Sequence, residues 1–247
     1  MGRFAPLGAS LMSYVSNARP MPYLSFPLFH GTSTALLSSI EHFGLGGGDP
    51  ITALDAVSCL QRLVAIADIE LSRDDWWASE ADLTHRMCEQ SISAAGFNFR
   101  HGQTYVSASE LTAVRYAITN CVGSELLSTC IELKRRLARS RNERLAAVEF
   151  QFRELFALAT ENPEPVLLRL EGVSSDDLLS ETGGPPESTL KSIESLRPFG
   201  SEALQGHNFI LSRPQPCEAC RVLYINVAQY DPYFPQYSLR ERAHPVA

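Results

Sequence analysis

Apolar positions along the chain follow two rhythms, one of strands and one of helices. The run Tyr23-Leu24-Ser25-Phe26-Pro27-Leu28-Phe29-His30 is short, mostly apolar and closed by glycine, which predicts a β-strand. Pro27 has no N–H to give a ladder, so this strand is expected at a sheet edge or its entry, with Gly31 and Thr32 ending it. Leu36, Leu37, Ile40 and Phe43 then recur at helical spacing, with Thr32 or Ser33 as cap and Gly44 as stop. The pattern reads as strand, tight turn, helix.

After a joint at Gly46-Gly47-Gly48-Asp49-Pro50, helical periodicity covers residues 51–71 and 80–95, separated by an expected loop at Asp74-Asp75-Trp76-Trp77. Residues 50–98 are read as a helical insertion. Adjacent tryptophans point in different directions on any regular element, so one is expected inside and the other at a cleft or partner surface. Residues 102–107 predict a strand, and Ser109 caps a helix carrying Leu111, Val114 and Ala117. A helical region over 123–160 ends at Asn162-Pro163-Glu164-Pro165 and is followed by a strand over 166–170. Residues 180–200 read as a long polar loop, and the last two strands, 208–211 and 222–227, are joined through Pro214-Gln215-Pro216. Residues 1–25 lack periodicity and read as an N-terminal arm. The pattern predicts an α+β fold, one domain over 26–247 with the insertion inside it.

Composition narrows the class. With 247 residues and 45% apolar side chains, disordered and fibrous proteins are excluded and a core needs no disulfide or metal. Twenty-one Lys and Arg against 28 Asp and Glu give a net charge of −7, which argues against a broad nucleic-acid footprint. The one basic cluster, Lys134, Arg135, Arg136, Arg139, Arg141 and Arg144, reads as the solvent side of a helix. No stretch of eighteen apolar residues exists, so no membrane span is expected. Pro6 and Gly8 break the apolar stretch after Arg3, so no signal peptide is expected either; a cytoplasmic location is the expectation. Cysteines 59, 88, 121, 130, 217 and 220 read as free thiols; Cys217 and Cys220 have zinc-knuckle spacing but no second pair.

Three separated pieces carry the chemistry: Phe29-His30-Gly31-Thr32 opening a helix, Tyr105-Val106-Ser107 with Tyr116 eleven positions after Tyr105, and His207-Asn208-Phe209-Ile210-Leu211. Read from the residues, Gly31 lets backbone approach a planar carboxamide closely, and His30 offers a ring nitrogen to a hydroxyl or simply closes a strand-to-helix turn. Tyr105 and Tyr116 sandwich a positively charged ring, or Tyr116 is simply the core-facing residue of its amphipathic helix beside Val114 and Ala117. The ordered set resembles the ADP-ribosyltransferase superfamily, in particular its diphtheria-toxin and poly(ADP-ribose) polymerase branch, over roughly residues 26–45, 102–118 and 204–227. The resemblance implies a split β-sandwich with NAD as cofactor, held by His30, Gly31, Thr32, Tyr105, Ser107 and Tyr116, with His30, Tyr105 and Asn208 as the catalytic positions.

At Asn208 this branch carries a glutamate. Asn hydrogen-bonds a ribose hydroxyl but lacks the charge that steadies a cationic transition state, leaving Glu202, Glu218 or a substrate carboxylate to supply it. The resemblance implies mono-ADP-ribosyl transfer to a protein or nucleic-acid acceptor by a toxin, effector or defence protein, one that acts in the cytoplasm, including that of another cell, and that would call for a neutralising or chaperone partner. Two alternatives stand beside it: a non-catalytic NAD- or ADP-ribose-binding module, and an RNA 2′-phosphotransferase-like enzyme, which shares His30-Gly31-Thr32 and a late Asn-bearing strand.

Overall fold

The computed structural model describes residues 23–90, 102–140 and 142–241. Strand β1, Leu28–Ser33, follows Pro27 and runs straight through Gly31 and Thr32. It leads into helix α1, Thr34–Phe43, which ends where Gly44 takes φ +78°, a value that L side chains adopt rarely. Next come α2 (Pro50–Ala53), α3 (Ala56–Glu70) and α4 (Asp75–Glu89), then β2 (Tyr105–Ser107) and α5 (Glu110–Thr119). Helices α6 (Glu125–Leu137), α7 (Glu143–Gln151) and α8 (Arg153–Ala157) precede β3 (Pro165–Leu170), β4 (Leu178–Ser180), α9 (Glu187–Leu196), β5 (Asn208–Leu211), β6 (Cys220–Gln229) and β7 (Gln236–Glu241). Among the described residues, no helix is long and apolar enough to cross a membrane.

The strands form one antiparallel sheet in the order β4-β5-β2-β1-β3-β6-β7, so the fold is α+β as the pattern predicted. It is a single hydrogen-bonded order rather than two packed sheets. Its halves nevertheless meet at one register pair, Phe29 opposite Ser107, whereas β1 and β3 pair along all six residues of each. β1 lies near the middle of the sheet, not at an edge; Pro27 sits just outside it, where its missing N–H costs nothing. Of the expected start of that strand, Tyr23 makes an isolated bridge to Ser174 and Leu24 donates its amide to the Val173 carbonyl at 2.8 Å.

Alternation along the strands sends side chains to two differently covered faces. Leu28, Val106 and Phe209 join one large cluster with the inward residues of α3 (Cys59, Leu60, Leu63) and α6 (Leu126, Cys130, Leu133), all of them fully buried. At about 1.5–3 kcal/mol for each buried large aliphatic side chain, this layer dominates stability. Because α3 packs on α6 and α7, residues 50–89 are built into the main core, while residues 91–98 of the expected insertion lie outside the described residues. The opposite face carries a smaller cluster, Phe29, Leu167 and Ile225 under Ala113, Val114 and Ala117 of α5.

Four local expectations change. Asp74 to Trp77 open α4 rather than forming a loop: the Asp74 carboxylate caps the helix by accepting from the Trp77 amide at 3.1 Å. Trp77 is buried as its pair predicted, and Trp76 lies under Arg136, whose guanidinium carbon is 3.8 Å from the ring centroid. Residues 187–196 of the expected loop form α9, anchored by buried Ile193. β4 and β7 are additional strands, the latter a hairpin partner of β6. Ser33 occupies the cap position of α1 without a side-chain cap bond; instead the Thr34 amide donates to the Glu164 carbonyl and the Thr34 hydroxyl accepts from the Glu164 amide, each at 2.9 Å.

Candidate functional site

The seam between β1 and β2 gathers most of the residues singled out above. Continuing the register past Phe29 and Ser107 would set Gly31 opposite Tyr105, yet the pairing stops, and the strands part there. His30 bridges the parting: its Nδ1 lies 2.7 Å from the Tyr105 carbonyl oxygen. A carbonyl only accepts, so Nδ1 carries the proton. Burial pushes the His30 pKa below its ordinary 6.5, against the smaller upward pull of that backbone bond. A neutral ring with Nδ1–H leaves Nε2 as an acceptor, so His30 would accept from a ribose hydroxyl rather than donate to one, reversing the expected direction.

Tyr105 opens β2 and Tyr116 is the seventh residue of α5, two turns in. The Tyr105 hydroxyl donates to Gln103 Oε1 at 3.2 Å, and its pKa is raised by burial and by the nearby Glu181 charge. Tyr116 keeps 39% of its surface exposed while its hydroxyl, tucked inward, accepts from the Glu125 amide at 3.2 Å. Desolvation of that hydroxyl pushes the phenol up to about 12, the Glu125 bond opposing and the charges of Glu125 and Tyr105 adding to it. The two rings thus approach each other without stacking; the ring pairs among the described residues are His42–Phe43, Trp76–Trp77 and Trp77–His85.

Asn208 begins β5 directly opposite Ser107, and its side-chain amide donates to Glu181 Oε2 at 3.5 Å. Glu181 is the site residue the sequence reading missed. It follows β4 directly, next to the Ser180–Phe209 pair, within a turn closed by the Gly183 amide to the Ser180 carbonyl and the Ser180 amide to the Gly184 carbonyl, both 2.8 Å. Its only local signal was Gly183-Gly184 just beyond it. Glu125, also missed, has its carboxyl pKa raised by desolvation although much of the residue is exposed.

Other expected positions serve the fold. Thr32 is fully buried, and its Oγ1 would lie 2.6 Å from a Cβ on Gly123; it faces packing rather than the seam. Ser107 is buried and its hydroxyl accepts from the Ser109 amide at 3.1 Å. Gly31 has a structural reason of its own: a Cβ there would sit 2.0 Å from the Ala113 carbonyl oxygen, so α5 reaches the strand only over glycine. Glu202 lies in the turn Ser201–Leu204, which is tied to Ser109 and makes no bond to Asn208. Glu218 lines a separate hollow of about 370 Å³ with Glu41 and His42. A second hollow of about 550 Å³ lies between Glu164, Tyr224 and Arg240, and neither contains His30, Tyr105, Tyr116 or Asn208. Neither the known family models, nor the curated proteins, nor the solved structures give a match to this chain.

Proposed function

We propose that the protein is an NAD-dependent mono-ADP-ribosyltransferase whose cofactor lies along the β1–β2 seam, on a variant of the split-sheet fold that its motifs resemble. The observation that carries this reading is the 2.7 Å bond from His30 to the Tyr105 backbone across strands that have stopped pairing, with Tyr116, partly exposed, close enough for the two tyrosines to interact electrostatically. The residues suit the ligand: two aromatic faces favour a cationic pyridinium, and Nε2 of His30 accepts a ribose hydroxyl. NAD would supply a glycosidic bond whose cleavage releases nicotinamide and leaves ADP-ribose for an acceptor. Here Tyr105 and Tyr116 hold the ring, His30 orients the sugar, and Asn208 donates to or accepts from the reacting ribose. The acceptor is a nucleophilic group on a protein or nucleic acid, and a toxin-like protein of this kind would have a neutralising partner.

A second reading, a non-catalytic NAD- or ADP-ribose-binding module, is favoured by the neutral amide of Asn208 itself. One experiment separates them. NAD at about 100 times its dissociation constant adds about 2.7 kcal/mol to the folded state, so wild type should melt at higher temperature with NAD, and Tyr116→Ala should lose most of that shift. Labelled NAD given to the protein with cell lysate should mark a protein or nucleic-acid fraction. Binding without label transfer supports the module; no shift in a folded protein at millimolar NAD removes both readings.

A further inference from the structure

We infer that Glu181 is the catalytic carboxylate of this site, standing in from the neighbouring strand end for the charge that Asn208 lacks. The inference rests on the NAD reading above. Three observations converge on it. β4 pairs with β5 up to Ser180 opposite Phe209, so Glu181 leaves β4 beside the start of β5 at Asn208, and the β2–β5 register sets Asn208 opposite Ser107. Glu181 Oε2 receives the Asn208 amide at 3.5 Å, so the two side chains meet on the same face. The turn behind Glu181 is closed by two backbone bonds and by the Gly184 amide donating to Ser180 Oγ at 3.0 Å, which holds the carboxylate beside the start of β5 rather than on a loose loop.

The charge is also unspent. Among the described residues no Lys, Arg or His forms an ion pair with Glu181. Its field reaches the Tyr105 phenol, one wall of the proposed pyridinium site. Asn208 and Glu181 together then do what one glutamate does alone: the amide fixes the carboxylate, and the carboxylate accepts a hydrogen bond from the ribose hydroxyl and opposes the positive charge growing on the sugar. In the hydrolytic form of the step, the bond from ribose C1′ to the nicotinamide nitrogen breaks and its electron pair leaves with neutral nicotinamide. Water, the acceptor when no other nucleophile is supplied, joins its oxygen to C1′ and gives one proton to solvent. Glu181 neither gains nor loses a proton.

The test combines three readouts on wild type, Glu181→Gln, Glu181→Asp and the double variant Glu181→Gln with Asn208→Glu. Nicotinamide release by Glu181→Gln should fall about 100-fold in kcat, the usual scale for removing a preorganised stabilising group, with partial recovery in Glu181→Asp and in the double variant. The NAD-induced rise in melting temperature should persist in Glu181→Gln, since the ring clamp and His30 remain. Without NAD, the Tyr105 phenol followed by tyrosine-labelled NMR should ionise at lower pH in Glu181→Gln, which tests the placement independently of turnover. If Glu181→Gln turns over as wild type does, or if wild type binds NAD without releasing nicotinamide, the assignment of Glu181 is overturned while NAD binding stands. If wild type shows no NAD-induced shift, the functional reading falls and Glu181 with it.

Discussion

On one face of the sheet Leu28, Val106 and Phe209 vanish into a cluster with Leu60, Leu63, Leu126 and Leu133, all fully buried; on the other, α5 covers Phe29 and Leu167 but leaves the Tyr116 ring in solvent and Tyr105 and Asn208 half-buried. The first face is what folding requires. The second holds aromatic rings and polar groups where burial returns little, and an incompletely covered cluster of this kind is the informative exception in a folded chain. The difference teaches where to look: stability belongs to the helical layer and chemistry to the seam, with α5 touching both.

The largest effects should therefore come from the helical layer. Leu133→Ala empties a fully buried site in α6 and should destabilise the protein by about 2–5 kcal/mol in urea unfolding, leaving the NAD-induced shift of the remaining folded protein intact. Gly31→Ala tests the boundary of the comparison, because residue 31 sits on the seam yet an added Cβ would lie 2.0 Å from the Ala113 carbonyl oxygen of α5. It should cost about 1–3 kcal/mol or more by overpacking, a structural penalty from a residue expected to be functional. A Gly31→Ala protein as stable as wild type would mean that α5 does not lie on β1 as described.

This boundary also explains what the sequence could and could not disclose. The helical layer was legible because Leu60 and Val64 of α3 recur at helical spacing, and the structure extends that stripe to Leu63 and Ala67. β4 was not, since three residues between Asp177 and Glu181 carry no alternation of their own and exist as a strand only through pairing with β5. α9 buries a single residue, Ile193, so its stripe was too thin to stand against Gly183-Gly184 and Pro185-Pro186 before it. His30, Tyr105, Tyr116 and Asn208 were marked by residue type and order. Glu181 needed the pairing of β4 with β5, which brings it to the Asn208 amide and is not a local property of any segment. Thr32 entered the site through the resemblance alone, and the strand expected to end at Gly31 and Thr32 in fact continues to Ser33.

Smaller and confined to acid is the effect of His30. Its folded pKa lies below 6.5 because burial penalises the imidazolium, so below 6.5 the unfolded chain takes up a proton that the folded protein refuses. Stability is fully retained above the unfolded value and declines as pH falls toward the folded one. His30→Gln lacks this titration, so the wild-type loss of stability between about pH 7 and pH 5 should exceed that of the variant in urea unfolding at each pH. Equal slopes would place His30 in solvent and undo the bond to the Tyr105 carbonyl on which the seam depends.

The smallest effect sharpens the contrast within a single side chain. Tyr116 has two parts in two environments: a ring that stays partly exposed and a hydroxyl that accepts from the Glu125 amide at the start of α6. Tyr116→Phe keeps the ring and removes the acceptor, so stability should fall by about 0.5–1.5 kcal/mol, the net worth of one hydrogen bond, less if water reaches the freed amide. The NAD-induced shift in melting temperature should stay near wild type, because stacking on a cation needs the π face and not the hydroxyl. The high-pH absorbance titration near 12 should disappear in the same variant, confirming which phenol carries it. If Tyr116→Phe keeps its stability and loses the NAD shift, the hydroxyl is the part that meets the ligand, and the ring belongs with the packing of α5.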